Sequence, residues 1–400
     1  MPRRCDYRLA TLLILFSLAT PLARGNEPAA PLSTAEPAAV GLDAKQLEKI
    51  TAAFEQHVQA NEVSGAVVLV LKDGKIVYQQ AVGKRDLQAE KPMTSDTIFA
   101  VASMTKPITG AAVMILVDEG KLSLDDPISK YIPAFKNAKL KTGASPRREI
   151  TVRDVVTHTS GLGGDQQTMG TLRETADKLA ERPLEFEPGE KWQYSPGLSV
   201  AGAVVEIVSK QPFDKFLSER IFAPLGMKDT TFNPSKQQQE RIAKLYKKGA
   251  DEKLEETTSW INDFSQHREP NPSGGLFSTA ADMAAFYAMI LAGGEGNGQR
   301  ILSEKAAKEL TTVHSGETKT GFTPGNACGI GWCIVREPQG ATAALSQGSA
   351  GHGGAFGTQG WVDFDKQMAF VLMIQRAGLP NADASQMRQD LQGLAVEARK

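Results

Sequence analysis

Ser103-Met104-Thr105-Lys106 is the stretch of this sequence best equipped for nucleophilic chemistry. On a helix, positions i and i+3 share a face, so the lysine amine can reach the serine hydroxyl. A serine hydroxyl is a poor nucleophile until a neighbouring base takes its proton. Lysine serves as that base once burial or positive neighbours lower its pKa from about 10.4 toward neutrality. Pro107 places the motif at a helix start, because proline is tolerated in or near the first turn. Free N–H groups there point toward developing negative charge. Ser-x-x-Lys is a loose pattern, expected about once by chance at this length, yet it occurs only here in the chain.

Two further stretches could complete a site. Trp192-Gln193-Tyr194-Ser195, preceded by Glu187-Pro188-Gly189, puts a tyrosine on a loop. It could pass a proton between nucleophile and leaving group if a lysine held its pKa down. Taken alone, Tyr194 reads as a half-buried core residue with its hydroxyl hydrogen-bonded. Gly351-His352-Gly353-Gly354-Ala355 precedes a strand-like run. Small residues there let a substrate backbone approach, and an exposed edge N–H could help bind an oxyanion. A plain glycine-rich turn is the competing account.

In order, spacing and surroundings these pieces resemble the serine β-lactamase and penicillin-binding-protein-like superfamily. Its members use a Ser-x-x-Lys helix, a tyrosine loop and a third motif on an edge strand. The likeness runs from about Leu42 to Arg376 and takes in Thr157-His158-Thr159-Ser160-Gly161-Leu162, Pro224-Leu225-Gly226-Met227 and Gly274-Gly275-Leu276-Phe277-Ser278-Thr279. It implies an α+β fold: a β-lactamase-like antiparallel sheet built from both chain ends, flanked by helices, with a large, mostly helical insertion over about 103–300. It also implies Ser103 as nucleophile, Lys106 and Tyr194 as acid/base pair, and His352, Gly353, Gly354 and Ala355 as substrate and oxyanion contacts.

The departures point to the substrate. Class C β-lactamases carry Tyr-x-Asn where this chain has Tyr194-Ser195-Pro196, so an amide donor for a β-lactam or peptide carbonyl is lost. Their third motif begins with lysine, and the aligned residue here is His352; a neutral imidazole binds a carboxylate more weakly than an ammonium does. Both changes are similar to those of family VIII carboxylesterases and related acyltransferases. A His-x-Gly third motif also resembles D-aminopeptidases. The resemblance thus implies cleavage of a small-molecule ester. A short D-amino-acid peptide or a β-lactam is the alternative substrate for the same residues, and a non-catalytic penicillin-binding-like domain is the third reading.

Several decoys fall away. Lys141-Thr142-Gly143 precedes the tyrosine loop, the wrong order, and Lys319-Thr320-Gly321 lies ahead of Cys328-Gly329-Ile330-Gly331-Trp332. The resemblance makes His158 a structural residue closing a helix, and no Gly-x-Ser-x-Gly elbow exists for a Ser-His-Asp triad. His57, His267 and His314 are scattered without ligand spacing, so no metal or cofactor is expected.

The elements that must position these residues are patterned unevenly. Asp73-Gly74 separates two β-rich runs, 65–72 and 75–82, which predicts a hairpin. A helix is expected from 43 to about 63. Met104, Ile108, Ala111, Ala112 and Ile115 mark one face of the Ser103 helix. Further helices fit 152–158, 170–181, 199–209, 213–222 and 279–292. Strands fit 329–336, 342–348, 355–363 and 368–375, and 382–400 reads as a closing helix. Neither terminal strand set offers enough apolar face to fold alone, so both should join one sheet.

With 400 residues, 41% apolar and 23% charged, the chain can bury a large core, and one domain over 42–400 is expected. A net charge of -1 gives no reason to expect nucleic acid or an acidic membrane as partner. Arg3, Arg4 and Arg8 precede an apolar stretch over 9–22, and Ala23-Arg24-Gly25 follows. That is the layout of a secretory signal peptide over 1–25, implying a periplasmic or secreted protein without a stable membrane span. The alternative, a membrane anchor, is short of roughly 20 residues and interrupted by Thr11, Ser17, Thr20 and Pro21. Residues 26–41 read as an Ala/Pro-rich linker with nothing to bury. Cys328 and Cys333 are five apart and would face opposite sides of one regular strand. A bridge across a bend and two buried free thiols both remain open.

Overall fold

The computed structural model describes residues 30–164, 169–264, 268–321 and 323–400, so the leader expected over 1–25 and His267 lie outside the described residues. Its main sheet is antiparallel and has eight strands: β1 Gly65–Lys72, β2 Lys75–Asp86, β3 Lys91–Pro92, β4 Asn326–Cys328, β5 Cys333–Val335, β6 Ala350–Gly353, β7 Gln359–Asp363 and β8 Met368–Met373. The spatial order is β4-β5-β6-β7-β8-β1-β2-β3, so strands from both chain ends meet at β1 and β8. Their register, from Val67 opposite Met373 to Lys72 opposite Met368, joins the ends without a break.

Apolar side chains on both faces explain why β1 is one continuous hydrophobic run. Val67, Leu69 and Leu71 join the cluster shared with the helical region, while Ala66, Val68 and Val70 join a second cluster beneath α1 Ala44–Gln59 and the closing helix. The period of two along a strand sends alternate residues to the two layers. Asp73 adopts φ 49 and Gly74 φ 73, the left-handed pair that a tight two-residue hairpin requires.

On the helical side, α2 Thr105–Asp118 and α3 Gly197–Ser209 pack on each other, and α4 Ala280–Leu291 lies over β1 and β8. The one-faced pattern expected for the Ser103 helix is corrected: every residue from Thr105 to Leu116 is buried. A helix surrounded by protein has no solvent face to pattern. Among the described residues no helix is long and apolar enough to cross a membrane.

The C-terminal strands differ most from expectation. Within the run expected over 329–336 only Cys333–Val335 (β5) is strand, and Gly329–Trp332 is the turn that folds it back on β4, with the Gly329 N–H donating to the Trp332 carbonyl. Cys328 and Cys333 are therefore opposite each other on adjacent strands, as free thiols, and not on two faces of one strand. The stretch 342–348 is turn, and the strand starts at Ala350, where pairing with Val362 begins. The closing helix, α5, begins only at Gln386, because the Ser385 side chain accepts the Arg388 N–H and caps it there. Ala382–Ala384 is a separate 3-10 turn. The helix after 43 stops at Gln59, before Asn61 at φ 53. Part of the expected linker also packs: the Ala35 N–H donates to the Ile76 carbonyl, and Leu32, Ala35 and Val40 lie against the core.

Candidate active site

Ser103 sits in a 3-10 turn, Ala102–Met104, that runs into α2, and Ala102 before it takes φ 46. That left-handed conformation is strained for a residue with a Cβ and persists only where surrounding contacts enforce it. Here the Thr105 hydroxyl donates to the Ala102 carbonyl at 2.7 Å and accepts the Leu276 N–H at 3.2 Å. Pro107 occupies the third position of α2, within the first turn, as its missing N–H demands.

Lys106 is completely buried, and its Nζ lies 3.1 Å from Ser103 Oγ. It also donates to the Ser273 carbonyl at 2.5 Å and stands 4.6 Å from the centre of the Tyr194 ring. Burial drives its pKa down from 10.5 to about 7, against smaller upward pulls from Cys333 and Asp383. Ser273 is fixed by its neighbours: its N–H donates to Asn271 Oδ1 at 2.9 Å, and its hydroxyl pairs with that of Ser199 on α3 at 2.9 Å. Neither Asn271 nor Ser273 was singled out by sequence reasoning. Their signal was the neighbouring Gly274-Gly275, where a Cβ at Gly275 would press on Asn271 at 3.0 Å.

Tyr194 reaches the same oxygen from the other side, its hydroxyl donating to Ser103 Oγ at 2.7 Å. Its loop is clamped by His158, which adopts φ 61 and lies 4.7 Å from the Tyr194 ring, centroid to centroid. The Ser195 N–H donates to His158 Nδ1 at 3.1 Å, which leaves the ring proton on Nε2. Burial and the nearby Lys106 and His352 push the His158 pKa well below its ordinary value. A neutral buried imidazole acting as a clamp fits the structural role expected for it. Pro196 is the N-cap of α3 and offers no side-chain donor to the cleft.

The facing wall is β6 and the turn after it. The third motif was expected on an edge strand, but β6 lies between β5 and β7. β5 pairs only with Ala350 and Gly351, so His352 and Gly353 project beyond it toward Ser103. Ala355 lies in the turn to β7, not in a strand. The Gly354 N–H donates to the Thr358 carbonyl at 2.7 Å and closes that turn. A Cβ on Gly354 would meet the Val101 carbonyl oxygen at 2.5 Å and Thr358 Oγ1 closer still, so only glycine lets the turn approach the residues just before Ser103. His352 is buried beside Tyr194, 6.2 Å ring to ring, and desolvation, followed by Lys106, lowers its pKa.

All seven residues expected at the site therefore converge. Ser103, Tyr194, His352, Gly353, Gly354 and Ala355 line a cleft of about 340 Å³, with Lys106 immediately behind Ser103. A wall that sequence reasoning missed, Leu379 to Asp383, completes it. The breakers Pro380 and Asn381 and the cap Ser385 were its legible signs. Of the decoys, Lys319 is exposed, although Thr320 and Gly321 reach a nearly closed pocket behind Tyr194. Among the described residues no cluster of His, Cys, Asp or Glu could hold a metal. A serine whose hydroxyl lies between a near-neutral lysine and a tyrosine can attack a carbonyl and pass the proton on.

Comparison with known proteins finds relatives along most of the chain. The Beta-lactamase family model matches residues 50–395. Esterase EstB of Burkholderia gladioli is 32% identical over 377 residues, covering 86% of this chain and 94% of EstB. An Escherichia coli O157:H7 protein named as a candidate D-alanyl-D-alanine carboxypeptidase is 30% identical over 389 residues, covering 88% of this chain and 87% of its own. Among solved structures, EstCE1, described as a hydrolase with promiscuous acyltransferase activity, aligns with a TM-score of 0.75. That alignment covers 88% of this chain and 98% of EstCE1 at 24% identity, and it speaks to the fold.

Proposed function

The chain belongs to the Beta-lactamase family and is a serine hydrolase, and on that premise we propose that it cleaves carboxylic esters through an acyl-enzyme on Ser103. Lys106 Nζ takes the Ser103 proton as Oγ bonds to the ester carbonyl carbon, and the carbonyl oxygen takes up the electron pair. Backbone N–H groups of Ser103 and Ala355 hold that oxyanion; such a donor is typically worth about 3–4 kcal/mol. The oxyanion collapses, the C–O bond to the alcohol breaks, and Tyr194 delivers the proton that the leaving oxygen needs. Tyr194, left as a phenolate beside the Lys106 ammonium, then takes a proton from water as the water oxygen bonds to the acyl carbon; the C–Oγ bond breaks, and Lys106 returns its proton to Ser103.

The observation that carries the scheme is the 3.1 Å and 2.7 Å approach of Lys106 and Tyr194 to one hydroxyl, with Lys106 poised near neutrality. Preference for esters is supported by Pro196, which replaces an amide donor, by the neutral His352, and by the relationship to Esterase EstB. The D-amino-acid peptidase, DD-carboxypeptidase or β-lactamase reading keeps the same residues and is favoured by the Escherichia coli relative's name. Turnover of a short-chain aryl ester, a D-alanyl anilide and a chromogenic cephalosporin decides between them. The ester should exceed the other two by at least tenfold in kcat/KM, and a faster cephalosporin or anilide would reverse the assignment. Secretion is part of the proposal, resting on the leader-like residues 1–25; fractionation of expressing cells should find the mature chain outside the cytoplasm.

A further inference from the structure

Eleven of the described residues line the cleft in front of Ser103, and none of these is a lysine or arginine. Lys106 stands behind the nucleophile, wholly buried, and is not part of the lining. His352 is held neutral by burial. Among the described lining residues, the carboxylate of Asp383 is the single full charge that faces an incoming substrate. Its place is set by the Ala382–Ala384 turn and by Gly353, where a Cβ would overlap Asp383 Oδ1. The carboxylate accepts from the neutral Gln359 amide at 3.2 Å, and that amide also holds the Ala382 carbonyl at 2.9 Å. The nearest guanidinium, Arg388, is buried on the Trp361 ring at 3.9 Å and spends an N–H on the Asp383 main-chain carbonyl at 2.5 Å. Arg388 is outside the lining, so a substrate meets Asp383 and not its cation.

We infer that Asp383 is a specificity-determining residue that turns away substrates bearing a carboxylate near the scissile carbonyl and admits neutral or ammonium-bearing ones. An anionic substrate would leave water, find no cation among the described lining residues and face a like charge. An ammonium would exchange water for Asp383 and keep a partner. The inference rests on the Ser103 esterase reading and narrows its substrate class. Peptides ending in a free carboxylate and bicyclic β-lactams, which carry a carboxylate beside the reacting amide, fall on the excluded side.

The test uses three p-nitrophenyl esters of matched acyl length: the uncharged pentanoate, the glutarate half-ester, and 4-(trimethylammonio)butyrate. For the wild-type protein, kcat/KM for the anionic ester should lie at least tenfold below the neutral one, with the cationic ester at or above it. Added 0.5 M NaCl should shrink both differences. In Asp383→Asn the anionic-to-neutral ratio should rise at least tenfold, and Asp383→Ser should move it the same way. Glu397→Gln removes the same charge from the exposed end of α5 and should leave the ratio where it was. Wild-type rates for the anionic and neutral esters within twofold of each other would overturn the inference, as would equal ratios in Asp383→Asn and Glu397→Gln. Should no ester turn over, the esterase reading fails. The labelling rates of Ser103 by a neutral and a carboxylate-bearing fluorophosphonate then still report the charge preference, and equal rates overturn it.

Discussion

Ser103, Lys106 and Tyr194 are held by buried helices and a clamped loop, whereas the facing wall is a strand end, a glycine turn and a 3-10 turn. The first wall contains a fully buried amine and the strained Ala102. The second is shaped by missing side chains at Gly353 and Gly354 and by the charge of Asp383. Burial tunes the reactivity of a base, and it costs stability to maintain. Open turns cost little and set which substrate fits. On the proposed reading, proton transfer and substrate selection fall to different walls, and each can be altered by itself.

The largest separation should come from Lys106→Met. With the base gone, kcat/KM for an aryl ester should drop by about 10³–10⁴-fold, measured against a blank for spontaneous hydrolysis. Tyr194→Phe keeps the ring against His158 and Lys106 but removes the shuttle, and should cost about 10²–10³-fold in kcat. Gly354→Ala forces the turn away from Val101 without touching the base, and should cost about 10²-fold by displacing the Ala355 N–H. Its pH profile should stay where it was, which separates a displaced oxyanion donor from a perturbed base. If Gly354→Ala moved that profile, the division between the walls would collapse.

The pH dependence belongs to the buried wall. Lys106 acts as a base only when neutral and its pKa is lowered to about 7, so kcat/KM should be complete above that pH. Activity should fall about tenfold per unit below it. A midpoint near 10 would mean that the amine is not desolvated in solution. The smallest effect is on stability. Because the folded-state pKa is depressed, the unfolded chain binds more protons below pH 10.5, and stability declines as pH falls from there toward 7. Lys106→Met removes that penalty and should raise Tm at pH 7 by on the order of 5 °C while abolishing turnover. An unchanged or lower Tm would show that the Ser273 carbonyl bond outweighs the cost of burial.

The same division governs what was legible in the sequence. Ser103 and Lys106 could be read because their spacing along one helix is itself the geometry. The 65–86 hairpin could be read from Asp73-Gly74. Tyr194 and the 352–355 segment lie 91 and about 250 residues away along the chain from Ser103 and were brought to the site only through the family likeness. The second anchor of Lys106, the Ser273 carbonyl 167 residues on, leaves no local trace. The short strands near the C-terminus misled because pairing, not propensity, fixes their limits: β6 starts where Ala350 meets Val362. Asp383 was absorbed into a helix expected over 382–400, although Ser385 is a readable cap that would have freed it.

The central claim is that Ser103 becomes acylated with Lys106 as its base. It is tested most directly by intact-mass spectrometry of the protein quenched during turnover of a p-nitrophenyl ester. The wild-type chain should gain the mass of one acyl group less a hydrogen, mapped by peptide analysis to Ser103, and Ser103→Ala should gain nothing. An acyl adduct of equal yield on Ser103→Ala, or one mapped to another residue of the wild-type chain, would contradict it.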